Sequence, residues 1–251
     1  MSVVAWVSGA PVDVSLVDER ERGLRAGPVG PTLPRAHTSE GRQLRRWLVQ
    51  VLVAERLVAA EADARGLSEA DAPSLVSLAP DRAAMLGLGS VAADLLTRNP
   101  VARAVFDAVT ASVSVPEDAV LRFYDGNPER FLVPAERVVR HTVGNVTRLR
   151  TVRRGELTGP VEDAVFAGEV GAVRTVDDPL GTHTVVVEEV RDGRVRSLAE
   201  ARDEIVGRLL SAARRRAFTA WLDRHTTADV RLAPGFEHPG DPGQPDNTHR
   251  H

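Results

Sequence analysis

The chain has 251 residues, 43% of them hydrophobic and 27% charged, with a formal net charge of −3. That balance belongs to an ordinary globular protein with room for one large domain or two small ones, and gives no electrostatic case for nucleic acid or an anionic membrane surface. All 32 positive charges are arginine and there is no cysteine, which excludes Schiff-base lysines, thiolate nucleophiles, disulfides and cysteine metal sites.

The N-terminal MSVVAWVSGAPVD has no basic lead and only a short apolar run. No later stretch approaches the roughly 20 apolar residues of a membrane span, and the expected location is the cytoplasm. Val3–Val7 reads as a strand that stops at the turn residues Ser8, Gly9, Ala10 and Pro11. Val12–Arg25 is expected as a short helix, ended by the Gly/Pro-rich stretch Ala26–Pro34. A long helix then starts at Thr38 or Ser39, both good N-caps. Its residues Leu44, Trp47, Leu48, Val51, Leu52 and Val58 recur at three- and four-residue steps, so one face is buried, and Gly66 stops it.

Glu69–Pro80 reads as a loop. Asp81–Arg98 and Val101–Ser112 read as helices parted by Asn99-Pro100, because a residue before proline avoids helical geometry. Ser114 is expected to cap a helix with Pro116 in its first turn, ending at Asp125-Gly126, after which Asn127-Pro128 begins a new turn. Farther on, Ser197 and Glu200 have the spacing of a capping box. The helix it opens carries an apolar stripe of Leu198, Ala201, Ile205, Leu209, Ala213 and Trp221 and reaches His225. Asp229–Leu232 reads as a strand, and the tail from Pro234 as irregular.

Between these outer parts, ERVVRHTV (Glu136–Val143) resembles the first strand of parvulin-type prolyl isomerases, which carries a buried histidine, here His141. Arg153–Val170 and Asp177–Val190 resemble that family's last helix and closing strands, with His183 as the second histidine. Only GNVTRLRT (Gly144–Thr151) stands where the family places two helices and its catalytic acid or thiol. The flanks sharpen the likeness. A strand, a turn and a long helix open the chain, and Val115–His141 reads VPEDAVLRFYDGNPERFLVPAERVVRH. That order is similar to SurA- and PrsA-type foldases, in which helical segments on both sides of a parvulin insert form one chaperone domain.

The resemblance implies an α+β fold: a mostly helical chaperone-like domain, residues 1–135 with 195–251, and an inserted, shortened parvulin-like domain, residues 136–194, built on an FKBP-type antiparallel sheet. It implies catalytic positions at His141 and His183, and a substrate wall at Leu157, Val161 and Phe166. Val161 stands where the family has an aromatic ring to grip proline. The residues themselves admit a second reading. Two buried histidines can satisfy one another as a structural pair, and the three apolar residues can be core alone.

No cofactor and no metal are expected. His238, His249 and His251 lie on an irregular tail without ligand spacing, and Asp177 and Asp178 beside Pro179 read as turn residues. The expected partner is a client protein or peptide, or else a small hydrophobic molecule, with no nucleic acid and no membrane; isomerisation should be weak or lost. A competing function is a small-molecule enzyme or accessory reusing a cleft between the two modules, to which Arg140, Glu156 and Trp6 would contribute; another is a purely structural interaction protein.

Overall fold

The computed structural model describes residues 2–179, 181–238 and 241. The fold is α+β. Two compact units make it up: residues 1–115 with 208–251, and residues 116–207, which enter the chain as an insertion in the first.

In the first unit, strands β1 (Val3–Val7) and β2 (Ala10–Asp13) form a hairpin. Ser8 (φ 49°) and Gly9 (φ 83°) at its turn are both left-handed, the geometry that matches the twist of paired strands. Pairing with β1 draws Val12 and Asp13 out of the expected helix, since Val12 is buried opposite Ala5. Helix α1 (Val14–Ala26) therefore begins later, with the Asp13 carboxylate accepting from the Ser15 N–H. Helix α2 (Ser39–Arg65) follows its sequence signals: Thr38 caps it and Gly66, at φ 66°, ends it.

A short α3 (Leu75–Leu78), capped by Ser74, occupies part of the expected loop. The expected helix over 81–98 is two, α4 (Arg82–Gly87) and α5 (Gly89–Arg98), because the chain turns at Leu88 and Gly89 takes φ 76°. Helix α6 (Pro100–Thr110) starts on proline, with the Asn99 side chain accepting from the Ala102 N–H.

The second unit opens with α7 (Glu117–Asp125), whose N-terminus at Pro116 has no side-chain cap; Ser114 lies too early to serve. Then come β3 (Leu132–Val133), β4 (Glu136–Val143), β5 (Val146–Arg153), α8 (Pro160–Phe166), β6 (Val173–Asp178), β7 (Gly181–Arg191) and β8 (Arg194–Val195). The main sheet is antiparallel with strand order β5-β4-β7-β6. Gly144–Thr151 contributes a turn and most of the edge strand β5, so β4 and β5 form a direct hairpin with Val143 opposite Val146.

Side chains alternate across a strand, so Val139, Val152, Val185 and Val187 share one face. They form the core of this unit with Val165 and Phe166 of α8. On the other face Thr147, Thr142, Thr184 and Thr175 stand in one row across all four strands.

Helix α9 (Leu198–Asp229) starts in the second unit on the expected capping box and runs four residues past His225. Strand β9 (Val230–Leu232) then joins β1, giving the order β2-β1-β9. Within the first unit, Phe218, Trp221 and Leu222 of α9 pack with Val58, Leu95, Leu96, Val105 and Phe106; a second cluster joins Val4, Val12 and Val17 to Leu48, Val49 and Leu52.

The unit boundaries at 115/116 and 207/208 lie outside the 136–194 span read from the sequence. The cause is local: Leu132 pairs with Val195, the Tyr124 hydroxyl donates to the Arg196 carbonyl at 2.7 Å, and Tyr124 stacks on Phe131.

Candidate functional site

His141 on β4 and His183 on β7 sit on adjacent central strands, two residues out of direct register and so on the same face: His141 faces Val185 and His183 faces Val143. Both point to the face that carries α8. Their rings meet through a hydrogen bond between His141 Nε2 and His183 Nδ1 at 2.8 Å. The other side of the His183 ring is engaged as well, with Nε2 2.8 Å from Oδ1 of Asp178 on β6. Three neighbouring strands thus supply one linear chain, carboxylate to imidazole to imidazole.

Asp178 is the member that sequence reading misses. It looks like a turn residue beside Pro179, and its role depends on hairpin register. Asp178 closes the β6–β7 hairpin opposite Gly181, while His183 faces Val176. Asp178 and His183 therefore share a face two residues apart along β6, close enough for a diagonal contact. Period-two alternation with the turn at Pro179 would have given the signal.

The chain of bonds sets the tautomers. An ionised carboxylate only accepts, so His183 Nε2 carries a proton. With both rings neutral, His183 Nδ1 is an acceptor, His141 Nε2 donates to it, and His141 Nδ1 is left as a lone pair. His183 is 5% exposed and His141 half-buried. Burial pushes the His141 pKa below its ordinary value, helped by the adjacent His183 and the Arg150 guanidinium; Asp178 pulls the other way. The site therefore offers a neutral hydrogen-bond acceptor at its partly open end.

The other candidates distribute as follows. Val161 and Phe166 are buried on α8, at 6% and 8% exposure. Phe166 packs in the core, covered by the guanidinium groups of Arg154 and Arg137 at 4.6 and 5.3 Å from the ring centre. Leu157 is half-buried against the same core. Leu157 and Phe166 are thus brought together with the valines of the sheet. Glu156 accepts from the Arg153 N–H and pairs with Arg150. Arg140 faces the opposite side of the sheet, paired with Glu188 at 2.6 Å. Trp6 belongs to the first unit, beneath the Arg231 guanidinium.

His249 and His251 lie outside the described residues. Among the described residues no group of three or more His, Asp or Glu side chains is placed to hold a metal ion, and no helix is long and apolar enough to cross a membrane.

Comparison with known proteins adds little beyond this geometry. Residues 3–40 match a family of unknown function, DUF7158. No curated protein matches. Two solved chains from Campylobacter jejuni are similar in fold, both from structures described as those of the virulence factor PEB4 and the periplasmic protein Cj1289, two structurally related SurA-like chaperones. One is 10% identical, with 93% of this chain and all of the other covered; the second is 15% identical, with 90% and 96% covered; both have a TM-score of 0.43.

Proposed function

We propose that the second unit is a shortened parvulin-type module within a foldase-related protein, and that it binds a client protein or peptide with prolyl isomerisation weak or absent. The observation that carries this reading is the His141–His183 pair, bonded across adjacent strands beside α8, in a sheet where Gly144–Thr151 is only a turn and an edge strand. The paired histidines are the frame that the sequence resemblance calls for. The segment that would bring an acid or thiol to them is replaced by β5.

Isomerisation must overcome a barrier of about 18–20 kcal/mol set by amide resonance. Only interactions stronger in the twisted amide than in the planar forms lower it. A neutral imidazole acceptor, with the Asp178 carboxylate on the far side of the pair, supplies little of that. Binding asks for less. Leu132 and Val195, exposed and opposite each other on β3 and β8, add apolar contact area for an extended chain.

The test is titration of the ¹⁵N-labelled chain with an unfolded, proline-containing peptide, alongside suppression of aggregation of a model client. The reading predicts saturable shifts that include residues of β4, β7 and α8, and slower client aggregation. Absence of both would overturn it.

A further inference from the structure

We propose that a cavity in the first unit is a binding site for a small apolar carboxylate. The cavity measures about 430 Å³, within the range of small-molecule sites. It lies among α2, the beginning of α5 and the C-terminal half of α9, all parts of one unit. Ala54, Leu88 and Leu222, all buried, give it an apolar lining.

Two independent features ask for an oxygen-bearing ligand. The first is Gln50, which lines the cavity at 6% exposure and whose side-chain Nε2 is buried with no hydrogen-bond partner. An unpaired buried donor is costly, and native structures rarely keep one without a reason. The terminal torsion of glutamine is broad, so rotation of the amide can turn this donor onto an oxygen seated in the cavity.

The second is the N-terminus of α5, a ten-residue helix: Leu88, just before it, and Gly89 to Ala92 in its first turn all line the same space. No side chain caps it. Its first backbone N–H groups and the positive end of the helix dipole therefore bear on the cavity. Helix starts of this kind bind anionic oxygens. Ser90 adds a hydroxyl: its Oγ accepts from Trp47 Nε1 at 3.1 Å, which leaves the hydroxyl proton to donate.

The charge of the ligand follows from the rest of the lining. Asp223, exposed on α9, is the single acidic side chain among the lining residues. It disfavours a dianion, and solvent screens it from a monocarboxylate held at the α5 end. The apolar lining takes the hydrocarbon body. A free small acid and the carboxyl terminus of a peptide present the same chemistry, and either can supply it.

Calorimetric titration of the full chain tests the proposal with three probes: 4-methylpentanoate, the uncharged 4-methylpentanamide, and an acetylated tripeptide ending in a leucine carboxylate. Saturable binding of at least one carboxylate is expected, with the amide weaker by about tenfold or more, the difference a charge-assisted hydrogen bond makes. Which carboxylate binds identifies the source. Gln50→Leu should weaken binding about tenfold while leaving the thermal midpoint unchanged or raised, because it removes an unpaired donor; a merely structural glutamine would not behave so. Ser90→Glu, at an exposed position, should abolish binding by placing a negative charge at the helix start, and it carries the test if Gln50→Leu fails to fold. Failure of both carboxylates to bind, equal affinity for the amide, or undiminished binding by Ser90→Glu would overturn the proposal. None of these outcomes bears on the histidine site of the other unit.

Discussion

At the residue scale, the Asp178–His183–His141 chain gives the sharpest expectations. Asp178→Ala leaves the His183 Nε2–H buried without an acceptor, which costs about 1–3 kcal/mol and should lower the urea midpoint; Asp178→Asn, which can still offer a carbonyl oxygen, should recover most of the loss. A pH dependence follows from His141, whose folded-state pKa lies below its ordinary 6.5. Between those two values the unfolded chain binds more protons than the folded one, so stability rises with pH there. This contribution is fully present above about pH 7 and is lost as pH falls below 6.5 toward the folded-state pKa; denaturant midpoints measured from pH 7.5 to 5 should show the loss, and His141→Gln should flatten it. The histidines were legible in the sequence because the strands that carry them resemble the parvulin pattern. Asp178 was not, because its role arises from the register of a hairpin. The apolar character of Leu157, Val161 and Phe166 was equally visible, but residue type alone does not separate a pocket wall from a core; Leu157 and Phe166 pack with the sheet valines.

At the scale of elements, local signals succeeded where they were strong and failed where pairing or packing decides. The caps Thr38 and Gly66 and the apolar steps between them delimit α2, and Ser197 with Glu200 starts α9. Strand β2 stayed hidden because only its partner β1 makes an extended Pro11–Asp13 favourable. The α4–α5 break depends on a left-handed Gly89, which a helix-forming neighbourhood does not announce. In α9, Gly207 is an exposed interior glycine, and a Cβ there would meet nothing within 4 Å. Gly207→Ala should therefore raise stability by about 0.5–1 kcal/mol through helix propensity, read as a higher denaturant midpoint. Gly41 is the opposite case: a Cβ would lie 2.1 Å from the Arg35 carbonyl oxygen, so Gly41→Ala should destabilise by about 1–3 kcal/mol, as overpacking does.

At the scale of the whole molecule, an antiparallel sheet unit is inserted in a helical one, and the paired histidines stand in a sheet whose β4 and β5 are joined by a tight turn. The account assigns binding to this sheet unit and little isomerisation. The most direct measurement is the cis–trans exchange rate of a proline peptide, followed by NMR exchange spectroscopy with and without the protein, at peptide concentrations that saturate the shifts of β4 and β7. The account predicts those shifts together with an exchange rate close to that of the free peptide. Substantial acceleration that disappears in His183→Ala would contradict it.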